Sequence, residues 1–200
     1  MLVKMSFSEI LKDYTFVGGS ALAVYLNHRK SEDIDLFTWQ ATLHLENIQK
    51  MLADTFKQNF KLINFSKTQI DCICEGVKVT FFANNWDQLK KNQPLVNYIT
   101  IAEIDLLTGM KINTLFLRAK YRDYYDLYVL NLEKFSLKNM FEIAQIYVPS
   151  INLRLFQTAL IFVDDIEDDS IKHLAPKYKI TKQKISAHFV TQLKKQFVNT

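Results

Sequence analysis

Two short stretches carry residue types that could handle phosphate and a divalent cation. One is Phe16-Val17-Gly18-Gly19-Ser20-Ala21-Leu22; the other is Asp33-Ile34-Asp35-Leu36-Phe37. In the first, a short apolar strand over 14–17 runs into two glycines and a serine where a helix begins. Glycines let the backbone pass close to a ligand, and the first helical turn offers N–H groups with no intrahelical partner. Such a turn suits phosphate oxygens, with the Ser20 hydroxyl as an extra donor. Thirteen residues beyond Ser20, Asp33 and Asp35 stand two apart on a predicted strand. They therefore share a face while Ile34 and Leu36 turn into the core. Two carboxylates about 6–7 Å apart repel by roughly 2–3 kcal/mol at an effective dielectric near 20, and a cation between them reverses that sign. Carboxylate oxygens suit Mg2+ or Mn2+, which also take oxygens from a triphosphate. The combination points to phosphoryl or nucleotidyl transfer. Gly-Gly-Ser alone is common in turns, and Asp-x-Asp alone is more often a solvated pair; their joint order and spacing carries the reading. No Gly-x4-Gly-Lys-Ser/Thr occurs, so this is not a P-loop.

The elements that must position these residues follow from periodicity. Ser6 and Glu9 have capping-box spacing for a short helix over 7–12. A helix is expected over 20–26, a strand over 33–37 and a helix over 42–57, where Leu43, Leu45, Ile48, Met51, Leu52 and Phe56 approximate helical spacing. Extended runs follow at 60–65, 69–75 and 77–82, with Glu75-Gly76 as a tight turn. One further strand is expected over 95–101. Beyond it the chain reads as helices over 102–118, 122–132, 137–147, 151–163 and 182–198, with Ser136 and Ser150 at N-cap positions and a break at Pro149. An α/β portion, 1–98, is therefore followed by a helical portion, 99–200, as two lobes.

Composition narrows the classes further. Of 200 residues, 48% are hydrophobic and 23% charged, which excludes a disordered chain; only 4 Gly and 3 Pro exclude a collagen-like or many-turned all-β chain. The longest apolar stretch, 155–163, is interrupted by Gln157 and Thr158 and is too short to cross a bilayer. Residues 1–10 lack an apolar h-region and include Glu9, so they do not read as a signal peptide. Cys72 and Cys74 point the same way on a strand and are poorly placed to bridge, which leaves no disulfide framework and makes a reducing cytoplasm the expectation. Two sulfurs without nearby histidines also make a poor zinc site. The net charge is +4, yet the segment 170–200 holds seven lysines and no acid, so the rest of the chain carries −3. Just before it come Asp164, Asp165, Glu167, Asp168 and Asp169. A basic end of this kind can attract nucleic acid through counterion release, although a solvated helix face is the plainer reading of charge alone.

Gly-Gly-Ser-Ala-Leu followed by His28-Arg29-Lys30-Ser31-Glu32-Asp33-Ile34-Asp35-Leu36-Phe37 resembles the signature of the AbiEii/AbiGii toxin family of nucleotidyltransferases, in the polymerase-β-like superfamily. A second stretch is similar to the family's later pattern: Asp105-Leu106-Leu107, Met110-Lys111, Arg118 and Arg122-Asp123-Tyr124-Tyr125-Asp126-Leu127. The resemblance covers residues 16 to about 130. It implies an α+β fold: a nucleotidyltransferase domain of mixed sheet and flanking helices, then a C-terminal helical bundle. It also implies Mg2+-dependent transfer of a nucleoside monophosphate from an NTP to an acceptor, with release of pyrophosphate. Gly18, Gly19 and Ser20 would hold the triphosphate, Asp33 and Asp35 the metal, and Lys111 and Arg118, seven apart on one helix, would neutralise phosphate charge. RNA, including a tRNA 3′ end, is an implied acceptor, and an antitoxin protein an implied partner of the helical lobe. Asp123 and Asp126 stand equally as catalytic groups or as a brace to Arg118 or Arg122. His28 is better read as fixing the Arg29 loop than as a proton carrier.

The sequence departs from the superfamily at one point. A third carboxylate usually lies in an apolar-acid-apolar triplet on a later strand, and the corresponding triplet here is Val79-Thr80-Phe81. A two-residue turn at Glu75-Gly76 would place Asp71 opposite Thr80 and let it supply the missing acid. A three-residue turn would pair Thr80 with Cys72 and leave two acids. Thr80 thus also admits a second reading, a degenerate member that binds nucleotide or RNA without catalysis.

Overall fold

The computed structural model describes residues 1–167 and 170–197; Asp168 and Asp169 of the acidic run, and Val198 at the expected end of the last helix, lie outside the described residues. The chain divides into two compact units, Met1–Ala21 with Ser31–Glu103, and Leu22–Lys30 with Ile104–Thr200. The division falls at 103/104 rather than 98/99, because the residues just past 98 form a strand of the sheet. In addition, the segment after Ala21 belongs with the helical unit.

The first unit is built on a seven-stranded mixed sheet. Its strands are β1 (Thr15–Val17), β2 (Asp33–Thr38), β3 (Phe60–Phe65), β4 (Gln69–Cys74), β5 (Val77–Ala83), β6 (Asn92–Val96) and β7 (Ile99–Ala102), in the order β3-β4-β5-β2-β1-β7-β6. β2 runs parallel to β5, and β1 parallel to β7; the other neighbours are antiparallel. Two helices accompany the sheet, α1 (Leu2–Met5) and, after the α2 segment described below, α3 (Leu45–Phe56). One face of the sheet is apolar: Ile34, Leu36, Ile70, Cys72, Cys74, Val79 and Phe81 are all buried, as are Ile48, Met51, Leu52 and Phe56 of α3. The two cysteines are free, with sulfurs 3.6 Å apart.

Two local expectations change. The capping box does not form: Ser6 Oγ donates to the Val3 carbonyl, and the following residues make a 3-10 turn over Glu9–Asp13 instead. The single strand expected over 95–101 is a hairpin, β6 and β7, because Asn97 takes a left-handed conformation (φ 47) and reverses the chain. Asparagine tolerates that region better than most residues. Pro94 is accommodated because β6 lies at the edge of the sheet, where a missing N–H is least costly.

The second unit is helical. It takes in most of α2 (Gly18–Leu26), whose first turn belongs to the sheet unit, then α4 (Ile104–Leu117), α5 (Tyr121–Glu133), α6 (Leu137–Tyr147), α7 (Leu153–Ile161) and α8 (Lys182–Phe197). Tyr121, Tyr124, Tyr125, Phe156 and Phe189 are its largest fully buried side chains. Ser136 caps α6 by accepting the Asn139 N–H at 3.1 Å. The cap of α7 is Asn152, which accepts from the Leu155 N–H at 2.9 Å; Ser150 sits two residues earlier at φ 58, in the reversal after Pro149. Among the described residues no helix is long and apolar enough to cross a membrane.

Candidate active site

The strand-to-helix turn at 17–20 forms as its residues dictate. β1 ends at Val17, Gly18 takes φ +80, and α2 starts there. Val17 pairs with Asp35 across the antiparallel β1–β2 ladder, which sets the glycine turn beside the Asp35 side chain. A Cβ added at Gly18 would overlap Asp35 Oδ2 and come 3.2 Å from Cγ. Only a hydrogen at that position allows the backbone and the carboxylate to approach so closely, and the left-handed φ favours glycine independently. Ser20 Oγ hydrogen-bonds the Asp33 carbonyl oxygen and lies 2.7 Å from Ser31 Oγ. Gly18, Gly19, Ser20, Asp33 and Asp35 are all half-buried. Gly18→Ala should therefore displace the Asp35 carboxylate and strain the turn by about 1–2 kcal/mol. Nucleotide turnover should fall much more steeply than the melting temperature, and parallel losses in the two would contradict this account.

Asp33 and Asp35 share the half-open face of the sheet with the polar side chains of β5 and β4. Asp35 pairs with Thr80, and Thr80 pairs with Asp71, so the three side chains form one row across β2, β5 and β4. Glu75 and Gly76 both have positive φ (47 and 84), the signature of a two-residue hairpin, and this turn fixes the register. Thr80 Oγ donates to Asp71 Oδ1 at 2.8 Å, Gln69 Nε2 donates to Asp71 Oδ2 at 2.8 Å, and Lys78 Nζ stands 3.6 Å from Oδ1. Asp71 is only 7% exposed.

Among the described residues, no group of three or more His, Cys, Asp or Glu side chains could hold a metal ion. The pair Asp33 and Asp35 beside the glycine turn still fits Mg2+, which is characteristically held by one or two carboxylates and completes its shell with phosphate oxygens and water.

In the helical unit Asp123 and Asp126 sit in a network of cations wider than a brace to Arg118 or Arg122 alone. Arg29 grips Asp126 with two nitrogens, Nε to Oδ1 at 2.6 Å and Nη2 to Oδ2 at 2.8 Å, and His28 Nε2 lies 2.8 Å from Oδ1. Lys111 Nζ is 2.9 Å from both Asp123 Oδ1 and Asp126 Oδ2. Arg118 reaches Asp123 at 3.3 Å. Burial is the largest single influence and would raise both aspartate pKa values, but the surrounding cations together outweigh it, Lys111 foremost. Arg29 and His28 help it hold Asp126 far below the usual carboxylate range, and Arg118 helps to lower Asp123. Lys111 is 6% exposed and fully engaged by these two carboxylates, whereas the Arg118 side chain remains 47% exposed. Arg122, the other expected brace partner, makes no ion pair to Asp123 or Asp126 among those described, and Arg29 takes that place. Nothing local in the sequence marks this pairing, since Arg29 and Asp126 are 97 positions apart.

The sheet, the glycine turn and the Asp-x-Asp strand belong to a mixed α+β fold shared with solved nucleotidyltransferase structures. More particularly, residues 1–88 match the family described as nucleotidyl transferase AbiEii toxin, type IV toxin–antitoxin system. The uncharacterized protein aq_aa25 of Aquifex aeolicus (strain VF5) is 23% identical over 183 residues, covering 89% of this chain and 87% of its own. A crystal structure from H. pylori, described as that of a nucleotidyltransferase, shares the fold over 100% of this chain and 95% of its own, with a TM-score of 0.59 at 15% identity. MenT4, the nucleotidyltransferase toxin Rv2826c of Mycobacterium tuberculosis H37Rv, shares it over 94% and 80% with a TM-score of 0.56 at 11% identity.

Proposed function

We propose that this chain transfers a nucleoside monophosphate from an NTP to an acceptor hydroxyl, in a Mg2+- or Mn2+-dependent reaction that releases pyrophosphate. The observation that supports this most is the Asp35 carboxylate packed against the Gly18 turn, with Asp33 on the same strand face. In this reading the Gly18–Ser20 turn holds the triphosphate through backbone N–H groups and the Ser20 hydroxyl. Asp33 and Asp35 would hold the divalent ion, which when bound supplies charge neutralisation at the phosphoryl group and the leaving pyrophosphate. Asp71 contributes the third carboxylate from the neighbouring strand. Arg118, half-exposed, is the readier phosphate partner; Lys111 reaches phosphate only by exchanging an aspartate for it.

RNA, including a tRNA 3′ end, is the acceptor this reading favours, with the lysines of 170–200 adding salt-sensitive attraction. A cognate antitoxin is the protein partner this reading favours, in keeping with the toxin–antitoxin description of the matched family, with the cytoplasm as the compartment it implies. The test is incubation with Mg2+, each α-labelled NTP and total RNA. Label should enter RNA with release of pyrophosphate, and both should vanish without Mg2+ or in Asp33→Ala. Thr80 at the expected acid position favours the alternative, a non-catalytic nucleotide- or RNA-binding member. Mg2+-dependent NTP binding without turnover on any acceptor would establish that alternative instead.

A further inference from the structure

An acceptor hydroxyl that attacks phosphorus must lose a proton, and carboxylates engaged with a divalent ion are weak bases for it. The next side chain in the row beside Asp35 is Thr80, directly paired with it across β2 and β5. The Thr80 hydroxyl already has a direction. Its proton points to Asp71 Oδ1 at 2.8 Å, which leaves its oxygen lone pairs for a proton donor on the open face. Asp71 is itself held in place: Gln69 Nε2 occupies its other oxygen at 2.8 Å, it is only 7% exposed, and the β4–β5 register fixes it opposite Thr80. Lys78, across from Asp33 in the ladder, has its Nζ 3.6 Å from Asp71 Oδ1 and keeps a positive charge beside that carboxylate.

We propose that Thr80 and Asp71 form a two-residue proton relay that does the work of a third active-site carboxylate. As the acceptor oxygen bonds to phosphorus and the bond to pyrophosphate breaks, the acceptor proton passes to Thr80 Oγ, and Thr80 passes its own proton to Asp71 Oδ1. The acceptor loses one proton, Asp71 gains one, and Thr80 ends as it began. Thr80 is the group that meets the acceptor, and Asp71 is a positioning residue and proton sink that acts through it. This rests on the transferase reading above.

The relay predicts a specific pattern of non-additivity. Removing a general base typically costs 10²–10⁴ in rate, and links in a serial chain do not add. Asp71→Asn and Thr80→Val should each lower kcat by about 10²-fold with the KM for NTP unchanged, and the double variant should be no slower than the slower single. Thr80→Ser should keep kcat within about threefold of the parent, as the hydroxyl is retained. The combination Thr80→Asp with Asp71→Asn should recover activity to within about tenfold, because a carboxylate then stands at the acceptor directly.

Thermal melting of every variant, with Thr80→Ser as the folded reference, separates chemistry from unfolding. An active parent with multiplicative losses in the Asp71→Asn/Thr80→Val double variant would overturn the relay, as would an unimpaired Thr80→Val. A parent that transfers nothing, under conditions where it binds NTP, would overturn the transferase reading instead.

Discussion

An Asp35→Asn chain is expected to lose about 10³-fold in nucleotide transfer while keeping a cooperative melting transition. The size of the rate effect follows from the role proposed for the pair: electrostatic stabilisation of the transferring phosphoryl group is commonly the largest catalytic term, worth 10²–10³ or more per group removed. Removing one charge of the pair acts in the opposite sense on stability. Asp33 and Asp35 lie on one face of β2 about two residues' rise apart, and Val17 and Thr80 pair with Asp35 on either side. Their mutual repulsion is a standing cost, which solvent screening at this half-buried face reduces to roughly 1 kcal/mol or less. Asparagine keeps the shape against Gly18 and removes the charge. Activity measured beside a melting curve checks both halves: a chain retaining a tenth of its turnover would remove Asp35 from the metal site.

Asp126→Ala is expected to destabilise the helical unit by about 3–5 kcal/mol, because it leaves Arg29 and Lys111 buried without their shared counter-charge. It also frees the loop at His28. The backbone ties of that loop, the His28 carbonyl accepting from Lys177 N–H and Tyr125 Oη and the Lys30 N–H donating to Leu174, depend on Arg29 staying in place.

The same cluster sets an acid limit. Asp123 and Asp126 have folded pKa values below their unfolded ones, so the unfolded chain binds more protons across the intervening pH range. Their contribution is complete above the unfolded carboxylate value near 4 and is lost as pH falls towards the lower folded values. Denaturant midpoints for the parent should therefore drop steeply below about pH 4, and those of Asp126→Asn should start lower at neutral pH and decline less. A neutral-pH loss under about 0.5 kcal/mol would show the cluster to be dispensable.

Much of the site was legible because its parts are local. The Gly-Gly-Ser turn follows from a strand meeting a helix within a few residues, and the shared face of Asp33 and Asp35 follows from the period of a strand. The pairing of Asp71 with Thr80 was one of two alternatives, and only the positive φ of both Glu75 and Gly76 selects the two-residue turn that carries its register along both strands. The β6–β7 hairpin was not legible, because one asparagine in a left-handed conformation reverses a run whose composition reads as continuous strand.

By itself, then, the sequence determined the glycine turn, the carboxylate pair and the alternation of α/β and helical portions, all consequences of short-range geometry. Only the tertiary structure decided which charges meet: that Arg29 serves Asp126, that Lys111 is enclosed between two aspartates, and that the start of α2 belongs to one unit and its remainder to the other. Those partners are set by the packing of helices far apart in the chain, and long-range ion pairs leave no periodic trace in composition or spacing.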